Sequence, residues 1–204
     1  VAGLHLTLHH EGAAGLDLRL EGFSHKLPRL AALAFAALAA LAPADEAFQR
    51  VREALARAYR NANAKPLRHA SYLRLRALRT RAPEVDAVRA EIEAATAADA
   101  RAFAAALFGT GAGGRLHVEA LVHGNATAAD ALAIGDAARR ALCAAGAPGP
   151  RDAAARLPPR ADLLVRAPAV NGDEDNSVAE VYLQVGPSSD PAARARLDMI
   201  DQLL

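Results

Sequence analysis

Histidine and carboxylate side chains come first, because they are what metal and acid–base chemistry need. In the stretch from Arg115 to Thr127, RLHVEALVHGNAT, His117, Glu119 and His123 recur at even intervals. In a strand, even spacing puts all three on one face, with Leu116, Val118, Ala120 and Val122 on the other. Two imidazoles and a carboxylate on one face suggest a metal centre, but the spacing excludes it. Six strand residues set His117 and His123 roughly 20 Å apart, whereas metal–ligand bonds are about 2 Å. The stretch reads instead as a polar strand face in which only His117 and Glu119 are close enough to hydrogen-bond. His5 and His9 fail in the same way, at roughly 13 Å, and the adjacent His9 and His10 point to opposite faces. The HxxEH and HExxH spacings, which place two His on one helix turn around zinc with Glu as general base, are absent.

The remaining candidates are weaker. Gly109 to Gly114 is glycine-rich, but it follows a helix and precedes a strand. That is the reverse of the order that aims backbone N–H groups at a phosphate, so it reads as a helix-to-strand loop. Cys143 lies late in an alanine-rich helix and reads as a small buried hydrophobe rather than a nucleophile. No G-x-S-x-G is present. Lys65, Arg68, Arg74, Arg76, Arg79 and Arg81, with His69, make one predicted helix strongly basic. A solvated helix face is the ordinary reading of such a run, and a surface for polyanions or acidic partners is the sharper one. At 100° per residue Arg68, Arg76 and Arg79 fall together, and Arg74 and Arg81 lie on another side. No residue is assigned to catalysis or to a metal. Arg68, Arg76 and Arg79 are the candidate substrate- or polyanion-binding residues.

The bulk properties restrict the classes further. The chain has 204 residues, 52% hydrophobic and 4% aromatic, with a formal charge of +1. No charge bias favours nucleic acid or an anionic membrane. Alanine supplies much of the apolar content, and each alanine buries little area. A single cysteine excludes an internal disulfide and a cysteine-rich zinc site, and the cytoplasm is the expected compartment. The chain opens on Val1 close to a probable strand and ends inside a helical pattern, so both ends are expected to be cut.

The elements that must position these residues can be read in order. Leu4, Leu6 and Leu8, then Leu16, Leu18 and Leu20, alternate with polar residues around a glycine-containing loop at 11–15. They predict an antiparallel hairpin, each strand half buried. Leu27 to Ala42 predicts a helix with almost no polar residue after Arg29. Its uncharged run is roughly 20 Å long, too short for the bilayer's roughly 30 Å, so it is expected to be a buried helix. Ala44 to Asn61 predicts an amphipathic helix with Phe48, Val51, Leu55 and Tyr59 on one stripe. Further helices are expected over Leu67–Thr80, Glu84–Ala95 and from Thr96 to about Phe108. Residues 115–123 are the expected central strand. Gly124 and Asn125 end it because both tolerate positive φ. Thr127 followed by Asp130 starts a helix over about Ala128–Ala145 in the manner of a capping box. A connector at 146–159, a short strand over Asp162–Arg166, a second connector at 168–176, an alternating strand over Val178–Val185 and a terminal helix after Asp190-Pro191 complete the chain. The fold class is α+β, an antiparallel sheet covered by helices.

Several of these stretches, in this order, resemble the third (middle) domain of the long-chain M16 metallopeptidases, the insulysin (insulin-degrading enzyme), nardilysin and pitrilysin group. They are Ala2-Gly3-Leu4 with Gly22-Phe23 and Lys26-Leu27-Pro28; Phe48 through Tyr59-Arg60-Asn61 to Lys65-Pro66, His69-Ala70 and Tyr72; Leu116 to Asn125; and Asp175-Asn176-Ser177 with Val181-Tyr182-Leu183-Gln184. The resemblance implies one of four homologous α/β rolls, arranged as two bowl-shaped halves around a closed peptide chamber. It implies that residues 1–167 are most of a third domain, 168–176 a linker, and 177–204 the opening strand and helix of a fourth. Zinc, its ligands and the catalytic Glu belong to the family's first domain, and no position here matches them. The chain is therefore expected to be a non-catalytic, chamber-forming segment of a zinc endopeptidase, inactive alone and binding no cofactor. Its expected partners are other M16 domains of the same chain and peptide substrates of the whole enzyme, with no nucleic acid and no membrane. The alternative is a stand-alone scaffold or binding module that uses the basic helix 67–81 for acidic partners. Unpaired strand edges are expected to make the isolated chain poorly soluble.

Overall fold

A computed structural model of the chain describes residues 3–10, 15–79, 82–108, 116–142, 146, 157–158, 162–186 and 189–203. The predicted hairpin forms from β1 (His5–His10) and β2 (Leu16–Glu21), paired antiparallel with Leu6 opposite Leu20 and Leu8 opposite Leu18. Leu6, Leu8, Leu16, Leu18 and Leu20 of the predicted alternation therefore share one face. Gly22 takes the chain out of β2 at φ +148, where a Cβ would lie 2.5 Å from the Gly3 carbonyl oxygen and from Leu4 Cδ2. A side chain there meets both backbone strain and backbone atoms, so the exit requires glycine. Burial differs from expectation. β2 turns Leu18 and Leu20 onto the core, but β1 is exposed throughout. Only one strand of the pair lies against the helices, and the outer edge of β1 has no ladder partner among the described residues.

Among the described residues seven helices follow: α1 (Leu27–Ala39), α2 (Asp45–Arg60), α3 (Pro66–Leu78), α4 (Val85–Ala94), α5 (Ala97–Phe108), α6 (Ala128–Ala141) and α7 (Pro191–Leu203). Existence and order match the sequence reading, and ends shift by a few residues, as fraying and capping allow. The principal core is Ala31, Phe35, Phe108, Ala138 and Leu142, with Leu18, Leu20, Leu116, Val118 and Ile134 packed around it. Ala31 and Ala138 have no bulk beyond Cβ, which lets α1 and α6 approach closely, and the two phenylalanines fill the space beside them. A second packing unit joins α2 to α4. Arg101 of α5 bridges toward α2, donating to the Pro43 carbonyl at 3.2 Å and to Asp45 at 2.6 Å.

Three expectations are corrected by the tertiary structure. First, α1 is buried on one side only: Ala31, Ala34 and Phe35 face the core while Leu33 is 61% exposed. Being uncharged permits burial all round, but among the described elements α5, α6 and β2 alone lie against the helix. Second, the covered face of α2 is only in part the Phe48–Val51–Leu55–Tyr59 stripe: Phe48 and Tyr59 are half-buried, but the face is rotated toward Arg52 and Ala56. Val51 and Leu55 are exposed, Ala56 is buried, and Arg52 is half-buried with its guanidinium donating to the Ala95 carbonyl at 3.3 Å. The small Ala56 admits α4 closely and the aliphatic stem of Arg52 covers apolar surface, so α4 sits on that side. Third, the expected strands at 116–123, 162–166 and 178–185 carry no strand assignment and join no ladder among the described residues. Period-2 patterning fixes an extended backbone and its two faces. A ladder also needs a second strand brought alongside in register, and none of these segments has one among the described residues.

The loop at 11–14, the glycine-rich run at 109–114, Arg115, Cys143, Thr80 and Arg81, and the connector at 147–156 lie outside the described residues. No described helix is long and apolar enough to cross a membrane.

Candidate functional site

The extended segment 116–123 and α6 form the unit that carries the histidines. Leu116 and Val118 pack on the core, as the alternation requires, so His117 and Glu119 face outward. Gly124, at φ +121, breaks the segment, and the Ala126 N–H donates back to the Gly124 carbonyl at 2.9 Å. Thr127 then opens α6 with a complete capping box. Its backbone N–H and hydroxyl donate to the Asp130 carboxylate at 2.9 and 2.7 Å, and the Asp130 N–H donates to Thr127 Oγ1 at 3.2 Å. These hydrogen bonds, the hydroxyl's first and the backbone's second, hold the Asp130 carboxyl below the usual carboxylate range. Thr96 and Asp99 repeat the device at the start of α5, with contacts of 2.9, 2.6 and 3.2 Å and the same lowering at Asp99.

His117 makes the predicted pair: its Nε2 lies 3.2 Å from Glu119 Oε1. Its Nδ1 lies 3.3 Å from the Gly146 carbonyl, and the Gly146 N–H donates to the Leu116 carbonyl at 2.9 Å. Each ring nitrogen thus faces an acceptor, and Gly146 is strapped to the segment on both sides. This is structural work, and His123 does not join it. Among the described residues no group of three His, Cys, Asp or Glu is placed to hold a metal ion. Beside the unit, Val118, Ala120, Ala131, Leu132, Gly135 and Arg139 line a shallow, mainly apolar groove of about 170 Å³. Arg139 at its rim is already paired with Asp136 at 2.6 Å.

The basic residues of α3 are distributed by the fold. Arg76 bonds Glu84 at 2.5 Å and lies over the Tyr72 ring at 5.9 Å, while the Tyr72 hydroxyl accepts from the Val85 N–H at 3.2 Å. Glu84 first, then Tyr72, raises the Arg76 pKa above its ordinary value. The cluster ties α3 to the start of α4. Arg79 sits at the helix C-cap with extended backbone, φ −94 and ψ 137, so the helical projection that grouped it with Arg68 does not apply to it. Arg68 is exposed, and eight residues of helix set it about 12 Å along the axis from Arg76. Arg76 is thus engaged by Glu84 and Tyr72, while Arg68 is exposed.

A cluster that sequence reasoning did not find lies on another side of α3. Arg74 Nε bonds Glu180 Oε1 at 2.5 Å, the Ser71 hydroxyl donates to Glu180 Oε2 at 3.2 Å, and the Arg74 guanidinium lies over the Tyr182 ring at 5.6 Å. The Arg74 and Glu180 side chains are only 32% and 24% exposed. The signal was in the sequence. Arg74 projects away from Arg68, and Glu180 and Tyr182 share one face of an alternating run. What was missing was the contact between segments 106 residues apart.

Comparison with known proteins bears on what these elements belong to. Residues 1–91 match the model of the middle or third domain of peptidase M16. The chain is also 28% identical over 194 residues to a nardilysin-like protein of Arabidopsis thaliana, covering 93% of this chain and 18% of that relative. It therefore spans less than a fifth of that relative's length. The hairpin, α1, α2 and α3 fall wholly within the matched region. The chain thus resembles peptidase M16 proteins, and its residues 1–91 match the family's middle domain.

Proposed function

We propose that this chain forms part of the wall of a closed peptide chamber in a larger zinc endopeptidase, and that it cuts no peptide by itself. The observation that carries this is the match of residues 1–91 to the middle domain, in a chain covering 18% of a much longer relative. The outer surfaces are consistent with that role. Leu33 of α1, Phe103 of α5 and the residues Val181, Leu183 and Val185 are all more than half exposed, so apolar side chains are available to further contacts. Such faces suit docking against further domains of the same protein.

The described residues do not fit zinc. The one His–carboxylate pair, His117 and Glu119, has its second ring nitrogen directed at a backbone carbonyl, and no third ligand gathers there. In this reading zinc, held in another domain, activates the water that hydrolyses peptide bonds of small unfolded peptides, and this segment contributes enclosure. Two measurements on the purified chain test the proposal: metal analysis, and cleavage of a quenched fluorescent peptide with and without chelator. No bound zinc and no cleavage are expected. Stoichiometric tight zinc, or cleavage that a chelator abolishes, would overturn the assignment.

A further inference from the structure

We propose that Glu180 is a latch that holds the C-terminal segment 177–185 on α3. Residues 177–185 join no ladder, and α7 packs on no other described helix or strand. The contacts that fix the segment come instead from alternate side chains. Glu180 is bonded by Arg74 and Ser71, Tyr182 lies under the Arg74 guanidinium, and Gln184 Oε1 accepts from the Leu157 N–H at 2.8 Å. The period of two puts these three side chains on one face and Ala179, Val181, Leu183 and Val185 on the other. The polar face is therefore the one turned to the helices, and Val181 and Leu183 are 82% and 77% exposed.

The chemistry explains why the polar face wins. An arginine presents several N–H donors and a flat cationic surface, so one guanidinium bonds the carboxylate while its plane covers an aromatic ring. Ser71, three residues before Arg74, lies on the same side of α3 and satisfies the second carboxylate oxygen. Sheltering by helix and segment strengthens each of these bonds relative to an open surface pair. An apolar residue at 180 would leave Arg74 and Ser71 facing it without partners. The latch fixes both the register of the segment and the outward direction of its apolar face. This inference concerns the chain's own conformation and holds whether or not the chamber reading does.

The experiment uses the full chain and reads the accessibility of Tyr182. Cleavage by chymotrypsin after Tyr182 is followed by mass spectrometry under limiting protease in the parent sequence, in Glu180→Gln and in Asp175→Asn. The last variant removes a carboxylate from the same stretch without touching the latch. Glu180→Gln is expected to raise the cleavage rate at Tyr182 about tenfold, the order of effect of losing a charge-assisted hydrogen bond. Asp175→Asn is expected to leave it unchanged, and far-ultraviolet circular dichroism should show equal helicity in all three. In nitrogen–proton spectra the Arg74 Nε–H resonance, assigned by its loss in Arg74→Lys, should move to the position of solvent-exposed arginines in Glu180→Gln. An unchanged rate with an unmoved resonance overturns the latch, as does equal acceleration by Asp175→Asn.

Discussion

Helix α1 offers a sharp internal comparison, because Phe35 and Leu33 lie two residues apart on one helix and meet opposite surroundings. Phe35 is 7% exposed within the cluster of Ala31, Phe108, Ala138 and Leu142, whereas Leu33 is 61% exposed. Phe35→Ala removes a buried ring whose neighbours include two alanines, which cannot reach into the space it leaves. Such truncations cost about 3–5 kcal/mol, from lost transfer energy and the residual cavity. Full burial of the three carbons lost in Leu→Ala is worth about 2.4 kcal/mol at about 0.8 kcal/mol each. With about two-fifths of Leu33 covered, Leu33→Ala should cost about 1 kcal/mol. Urea unfolding followed at 222 nm converts both into midpoints. At a slope of about 2 kcal/mol per molar urea, Phe35→Ala lowers the midpoint by about 1.5–2.5 M and Leu33→Ala by about 0.5 M. Equal shifts, or a larger shift for Leu33→Ala, would refute the one-sided packing of α1. A changed slope would show instead that the unfolded or native ensemble had altered.

The other predictions concern local devices. Thr127→Ala removes the acceptor for the Asp130 N–H and the hydroxyl donor to its carboxylate, and should cost about 1 kcal/mol, read as a lower thermal midpoint. The Asp99 and Asp130 carboxyls have folded-state pKa values below the ordinary 3.8. Their contribution is therefore present above about pH 4 and is lost as pH falls through the lowered values. Asp99→Asn with Asp130→Asn should accordingly narrow the gap between urea midpoints measured at pH 7 and pH 3, and a gap as wide as the parent's would contradict the capping boxes. Gly22→Ala places a Cβ against the Gly3 carbonyl at strained φ. It should destabilise the hairpin exit by roughly 1–3 kcal/mol, seen as faster amide exchange in β1 and β2, while Asp175→Asn leaves that exchange as it is.

Some features were legible residue by residue. The alternation of Leu4–Leu8 and Leu16–Leu20 specified the hairpin and its shared leucine face. Thr127 with Asp130 specified a capping box, and Gly124 a left-handed break after an extended segment. The interval between His117 and His123 excluded one metal between them, and the structure gives His117 to Glu119 and Gly146 instead. Each of these depends on residues within a turn or two of one another, where backbone geometry alone relates position to direction. The spaced pattern from Gly3 to Gln184 likewise carried the resemblance that the comparisons support over residues 1–91.

Which face of each element is covered was decided only by the tertiary structure. Nothing local to α2 says that α4 will sit on Arg52 and Ala56 rather than on Val51 and Leu55. Nothing within residues 178–185 says that Glu180 and Tyr182 will turn inward and the valines outward. The projection that grouped Arg68, Arg76 and Arg79 on a helical wheel could not foresee that α3 ends at Leu78, or that Glu84 would engage Arg76. An amphipathic pattern offers faces, and a partner chosen from distant sequence selects among them, because burial and charge pairing are energies of contact between segments. The amino-acid sequence alone determined the elements, their caps and the absence of one-metal geometry in the 115–127 stretch. The assembled fold decided what each element touches.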